Sequence, residues 1–390
     1  MKLIILLSRV PYPLEKGDKL RAFYQIKGLS QHHEIYLIAL NDSKVHPDAQ
    51  ENLQPFCKEI HILNLTIWTK MLHIFLAFFK KLPIQCGYFY SFAAQKKIDQ
   101  LIHQIQPDLI YAQMVRVAEY VKHKNIHKVI DFQDVLSKGM KRRAEKESGL
   151  YRFFFRFEYK RLLAYEKLLL PLFDRRTIIT AVDRNFIDYT PETAIDVIPN
   201  GVDFKRFTYH GEEKEYDLIF TGNMSYPPNV IAAEYIVKQI VPQLQEQFPN
   251  LKTLICGANP ASQVKALANE KGVFVTGWVD NISEYYAKSK IFIAPLTIGT
   301  GLQNKLLEAM AMQLPCITSP LAAAPLEIAK EEQNFIICNT QTGFIDAITL
   351  LLTDKKNYQE IAQNGHHFVK NNYHWDAANE RLNRILMDCL

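Results

Sequence analysis

Short apolar runs rich in β-branched residues alternate with longer stretches of helical periodicity along most of the chain. In the first half the runs are Leu3–Leu7, Glu34–Leu40, Glu59–Leu65, Asp108–Gln113, Lys128–Asp134, Thr177–Val182 and Ile195–Pro199. In the second half they are Asp217–Gly222, Leu251–Gly257, Val273–Val279, Lys290–Leu296, Pro315–Ser319 and Asn334–Cys338. A run that is apolar at successive positions, not at every second one, fits a strand covered on both faces. Helices between such strands make parallel crossovers, so two sets in series predict two doubly wound α/β domains. The boundary is expected in the turn-rich, charged stretch from Asn200 to Glu215, where apolar periodicity lapses.

A helical pattern also fills Ser137 to Leu170, which contains the aromatic and basic run Tyr151-Arg152-Phe153-Phe154-Phe155-Arg156-Phe157. Trp68 to Phe79 has the same character. Two readings are open: buried helices with snorkelling Arg and Lys, or an interfacial surface beside anionic lipid. Charge favours the second for at least one segment. Through Thr190 there are 30 Lys and Arg against 19 Asp and Glu, whereas from Pro191 onward there are 16 against 22. The first half should therefore face something anionic.

At 390 residues, with 48% hydrophobic and 22% charged positions, the chain is globular and not disordered, collagen-like or a coiled coil. Its six cysteines form no C-x-x-C and sit mostly in apolar runs, which suits reduced core thiols and a cytoplasmic location. Met1 to Arg9 reads as a buried first strand, and the apolar stretch Met71 to Phe79 is too short to span a bilayer. The protein is expected in the cytoplasm, with the inner face of the cell membrane as a partner surface.

Ligands of doubly wound domains bind at the carboxyl ends of strands, so the loops there hold the candidate chemistry. After the first strand, Gly17 precedes a helix and could let backbone N–H groups approach a phosphate. After the fifth, Asp131 and Asp134 could act as base or acceptor clamp, or Asp134 could cap the next helix. The richest window runs from Pro295 to Met312. A Gly-Thr-Gly turn is followed by a helix expected from Leu302, with Thr300 as its cap. Lys305 then stands near the helix's positive end, which is unfavourable by about 0.3–1 kcal/mol unless an anion binds there. Glu308 lies one turn deeper on the same face. An amine for a diphosphate and a carboxylate for ribose hydroxyls would together suit a nucleotide.

Asn200-Gly201-Val202-Asp203, Phe220-Thr221-Gly222-Asn223-Met224, Val275-Thr276-Gly277-Trp278-Val279-Asp280 and Asn304-Lys305-Leu306-Leu307-Glu308-Ala309-Met310-Ala311 together resemble GT-B glycosyltransferases of family 4. The nearest in kind are bacterial enzymes of exopolysaccharide and cell-surface glycan assembly. The resemblance implies an α/β GT-B fold, two Rossmann-like doubly wound domains facing a central cleft. Residues 1–204 would bind the acceptor, 205–373 the nucleotide sugar, and 374–390 would form a helix crossing back to the first domain. It implies that Glu308 holds the ribose, Lys305 the diphosphate, and Gly301, Leu302, Gln303 and Asn304 present helix N–H groups. Gly222 and Asn223 would line the phosphates, Val279 would meet the base through its backbone, and Gly17 would approach the phosphates from the first domain.

Three positions depart from the family pattern. Thr300 stands where many members have a Glu, Asn223 to Asn229 lacks the usual Arg and Lys, and Gln133 takes the place of a His in the fifth-strand loop. The resemblance implies retention of anomeric configuration, with the leaving phosphate itself taking the acceptor proton and Asp134 positioning the acceptor. No Asp-x-Asp metal motif occurs in the chain. The expected enzyme is therefore a metal-independent transferase with no cofactor, UDP-sugar favoured over GDP-sugar as donor, and a glycan or lipid-diphosphate-linked glycan as acceptor. The alternatives are a sugar-nucleotide 2-epimerase of the same architecture, and a membrane-associated assembly partner whose donor site has decayed. No nucleic-acid partner is expected.

Overall fold

The computed structural model describes residues 1–298, 301–326 and 334–390. The seven apolar runs of the first half pair as β1 (Lys2–Leu7), β2 (Glu34–Asn41), β3 (Glu59–Asn64), β4 (Leu109–Gln113), β5 (His127–Asp131), β6 (Arg175–Ile178) and β7 (Asp196–Val197), in spatial order β3-β2-β1-β4-β5-β6-β7. The six of the second half pair as β8 (Tyr216–Thr221), β9 (Thr253–Cys256), β10 (Val273–Val275), β11 (Ser289–Ala294), β12 (Cys316–Thr318) and β13 (Ile336–Ile337), in order β10-β9-β8-β11-β12-β13. All of these pairings are parallel. Burial of β1, β4 and β11 along almost their full lengths explains why they read as unbroken apolar runs. Each sheet reverses its strand order once, between β1 and β4 and between β8 and β11. Crossovers leave such a point in opposite directions, so the loops after those strands are where each unit can admit a ligand.

The chain divides into two units, Met1–Pro199 with Trp375–Leu390, and Asn200–His374. The first crossing thus comes at Pro199, earlier than the 204/205 boundary read from the sequence. The reason is Val202: its N–H donates to the Tyr373 carbonyl (2.8 Å), it bridges to His374, and it buries with Phe207 in the second core. The last helix, Trp375–Met387, packs on the first unit. Trp375 stacks on Tyr24 with ring centroids 4.9 Å apart, and Asn379 Nδ2 donates to the Tyr24 carbonyl (3.0 Å). Gly28 leaves room for Asn379, which a Cβ would displace.

The expected helix from Ser137 to Leu170 is two helices, Leu136–Lys146 and Gly149–Leu169. The chain breaks at Glu147-Ser148, with Gly149 at φ 56°. The second helix holds its neighbours by their ends. Glu158 accepts from the Ile84 and Gln85 N–H groups, and Glu166 accepts from Ser137 N and Oγ. Burial pushes the Glu166 carboxyl up to about 7.

At the centre of the first unit Arg21 and Asp131 form a wholly buried ion pair. Arg21 Nε donates to Asp131 Oδ2 (2.6 Å) and its Nη1 to the Ile198 carbonyl (2.9 Å), tying the first helix to the ends of β5 and β7. Tyr111, Thr177 and the Gln133 N–H also donate to Asp131 at 3.0–3.3 Å. Asp131, read from the sequence as a catalytic candidate, thus has both oxygens engaged by protein donors. Asp131→Ala should destabilise the first unit by about 3–5 kcal/mol by leaving a buried guanidinium without its counter-charge, measurable by urea denaturation.

Candidate functional site

The second unit's site begins at its switch point. The loop after β8 turns at Gly222 with φ 152°. A Cβ there would lie 2.6 Å from Asn229 Nδ2 and 2.9 Å from Lys305 Nζ, so glycine alone fits. Gly257, after β9, has the Gly222 carbonyl where its own Cβ would stand. The pair lets two strand ends touch through bare backbone and leaves a floor without side chains.

Asn223 follows, but its side chain faces into the turn, where Oδ1 accepts from Ser225 N (3.0 Å) and Oγ (2.7 Å). Any lining role of Asn223 is thus left to its backbone. Its carbonyl accepts from Asn229 Nδ2 (2.9 Å), and Asn229 Oδ1 accepts from Lys305 Nζ (2.6 Å). Asn229 is buried in the first turn of the Pro227–Tyr235 helix and steers the amine.

Lys305 is the second residue of the Asn304–Ala311 helix, which starts later than the expected Leu302. Gln303, in extended conformation, is the N-cap, and no side chain caps it. Thr300 lies outside the described residues. Gly301, at φ 75°, accepts from Gln303 Nε2 at its carbonyl (3.3 Å), Leu302 packs on the second core, and Asn304 Oδ1 accepts from Asn200 Nδ2 (3.0 Å). The positive helix end therefore opens near the glycine floor without a carboxylate of its own.

The Lys305 amine lies 4.7 Å from the centre of the Phe220 ring. Burial lowers its pKa to about 7, against the attraction of Glu308. Burial raises the Glu308 carboxyl, opposed by Arg206, a hydrogen bond from Tyr286, and Lys305. Tyr286 ties the group together: its hydroxyl donates toward the Lys305 carbonyl (3.2 Å) and Glu308 Oε2 (3.3 Å) and shares a hydrogen bond with Thr221 Oγ1 (2.7 Å). Phe207 sets its ring 6.1 Å from that of Tyr286, and Arg206 lies over Phe207. The turn after Asn200 thus brings a second cation toward Glu308. Val279 is half-buried against the second core after β10.

The structure brings Gly222, Lys305 and Glu308 near one another. Asn229, Tyr286 and Arg206 were missed, because none belongs to a motif and each acts through a neighbour distant in sequence. The Pro227-Pro228 helix start was the one available sign for Asn229.

The remaining candidates belong to the first unit. Gly17 is exposed at the start of the Gly17–Leu29 helix, whose N-cap Lys16 provides no side-chain hydrogen bond. Asp134 follows Gln133, which holds φ 61°, a conformation costly for a residue with a Cβ. Among the described residues, Asp134 Oδ1 and Gln133 Nε2 are buried without a hydrogen-bond partner. Burial and then the nearby Asp183 push the Asp134 carboxyl up to about 7, against the pull of Arg21. Two orphaned polar groups on one strained loop, one of them able to exchange a proton near neutrality, are what a polar ligand would complete.

Residues 215–354 match the family model of glycosyl transferases group 1. A Klebsiella pneumoniae protein described as an uncharacterized 44.6 kDa protein in the cps region is 20% identical, over 95% of this chain and 96% of its own length. An Escherichia coli UDP-Gal:alpha-D-GlcNAc-diphosphoundecaprenol alpha-1,3-galactosyltransferase is 26% identical, over 47% of this chain and 53% of its own. The structure of Anabaena Alr3699/HepE in complex with UDP and glucose superposes with TM-score 0.72 at 14% identity, over 100% of both chains. The fold is of the GT-B type, and the likeness to group 1 glycosyl transferases lies in residues 215–354. Gly222→Ala should lower the thermal midpoint of the second unit, by about 1–3 kcal/mol in stability, and displace the Lys305 amine from Asn229. A crystal structure of the variant checks the second effect.

Proposed function

We propose that this protein is a glycosyltransferase that moves a sugar, with retention, from a nucleotide-diphosphate sugar to a glycan carried on a lipid diphosphate. The setting is bacterial surface polysaccharide assembly at the inner face of the cell membrane. The observation that carries the reading is the partly desolvated Lys305 amine, one helical turn from Glu308 and against the Gly222 floor. A diphosphate beside that amine supplies the counter-charge it lacks, and the uncapped helix N-terminus adds backbone donors. Glu308 then accepts from the ribose hydroxyls, Gly222 and the Gly301 to Asn304 backbone line the phosphates, and the Val279 backbone meets the base.

As the anomeric carbon–oxygen bond breaks, negative charge grows on the diphosphate, where the amine and the helix end stabilise it without a divalent ion. The acceptor hydroxyl attacks from the same face and passes its proton to the departing phosphate oxygen. Asp134 orients that hydroxyl. A UDP-sugar is favoured as donor because one relative is named for UDP-Gal and a structural neighbour was solved with UDP and glucose. The E. coli relative, named for a diphosphoundecaprenol-linked acceptor, supports the lipid-linked glycan.

Lys305→Ala and Glu308→Ala should each reduce kcat/KM for the donor by about 10²–10³-fold, while chelator leaves wild-type turnover unchanged. Unchanged turnover in both variants overturns the reading, as does a new sugar nucleotide formed from donor alone in an NMR assay. In the free protein Lys305 titrates near 7, and a bound diphosphate raises that value. Affinity for UDP is then full below that pH and falls as pH rises toward the bound-state value, by up to about tenfold per unit. Calorimetry across pH should find this slope in the wild type and a flat profile in Lys305→Met.

A further inference from the structure

The Ile67–Phe79 helix has its polarity inside out. Its buried positions are Lys70, His73 and Ala77, a single stripe at helical spacing. Lys70 Nζ donates to the Tyr88 hydroxyl (3.4 Å), and the His73 ring hydrogen-bonds the Thr69 carbonyl (2.7 Å). The opposite side bears Trp68, Met71, Phe75 and Phe79, which are 80%, 61%, 60% and 67% exposed. A helix folded against water alone does the reverse.

The patch continues onto a second helix. Arg161, on the Gly149–Leu169 helix, donates through Nη1 to the Ala77 and Leu82 carbonyls (both 3.0 Å) and through Nη2 to the Phe78 carbonyl (2.6 Å). Phe78 stacks on Phe157 with centroids 5.5 Å apart. The same second helix exposes Leu150, Tyr151 and Phe153 at its N-terminal end. Ile67 to Lys81 contains Lys70, Lys80 and Lys81 and no acidic residue, and residues 136–161 carry nine Lys and Arg against three Glu. An apolar face of this extent marks an interaction site. Its surround of positive charge would repel a second copy of the same face and attract an anionic one.

We propose that this surface docks on an anionic phospholipid bilayer. Trp68, Met71, Phe75 and Phe79 enter below the headgroups, and Lys80, Lys81 and Arg152 meet the phosphates. Among the described residues no helix is long and apolar enough to cross a membrane, so attachment through this patch lies in the interface plane. The inference names the surface for the proposed membrane-face setting and rests on that setting for its purpose, while its test is independent of the donor site.

Vesicles of phosphatidylcholine alone, and of equal parts phosphatidylcholine and phosphatidylglycerol, are sedimented with the full chain. Wild type should pellet with the anionic vesicles, less so at high salt, and remain in solution with the neutral ones. Trp68→Ser/Phe75→Ser should abolish pelleting, and Lys80→Gln/Lys81→Gln should weaken it about 25-fold. Both variants should keep the wild-type thermal shift with UDP, which verifies their folding. Equal pelleting of variants and wild type, or wild type remaining in solution with anionic vesicles, overturns the proposal. So does a dimer that Trp68→Ser/Phe75→Ser dissociates. Loss of the UDP response in wild type, with vesicle binding intact, would instead count against the donor reading alone.

Discussion

The second unit depends on keeping a lysine amine where water only partly reaches it. Desolvation strips Lys305 of much of its preference for the charged form, and Glu308, one turn away, returns part of it. Position matters as much as charge. Gly222 and Gly257 clear the space, Asn229 fixes the amine from the side, and Tyr286 holds the helix backbone and the carboxylate together. None of these supporting groups needs to touch a substrate. They hold a buried amine in a fixed position, which is the condition the proposed stabilisation of a departing diphosphate requires.

The first unit makes a contrasting use of carboxylates. Asp131 and Asp134 stand three positions apart on one strand end, and the fold gives them opposite fates. Asp131 is saturated by Arg21, Tyr111, Thr177 and a backbone N–H. Asp134 has one buried oxygen with no partner among the described residues and is held near its protonation midpoint at neutral pH. The saturation of one is a reason for the responsiveness of the other, because the Arg21 charge is already committed to Asp131 and only partly offsets the burial of Asp134.

The central strands were legible because burial on both faces writes itself into the chain as unbroken apolar runs, and each of the thirteen runs contains a strand, the half-buried edge strands β3, β7, β10 and β13 included. The positions of Lys305 and Glu308 were legible for a related reason: helical spacing fixes their relation whatever the surroundings. What escaped was set by tertiary partners. Nothing local to Asp131 announces Arg21, which lies 110 residues away. Nothing local to Asn229 announces Lys305, whereas the break at Glu147-Ser148 did have a local sign, the Ser148-Gly149 pair, set within an otherwise helical pattern. The aromatic segments were ambiguous for a different reason. Composition cannot tell an inward from an outward apolar face, and in Ile67–Phe79 the polar residues took the inside.

The stacking of Trp375 on Tyr24 has a consequence for how the protein is made. During synthesis most of the first unit emerges before the second, yet one of its cores lacks part of its cover until the Trp375–Met387 helix has left the ribosome. The nascent first unit must therefore wait, incompletely packed, through translation of the entire second unit. A frameshift or nonsense lesion within the second unit would then also injure the part of the molecule that was synthesised before it.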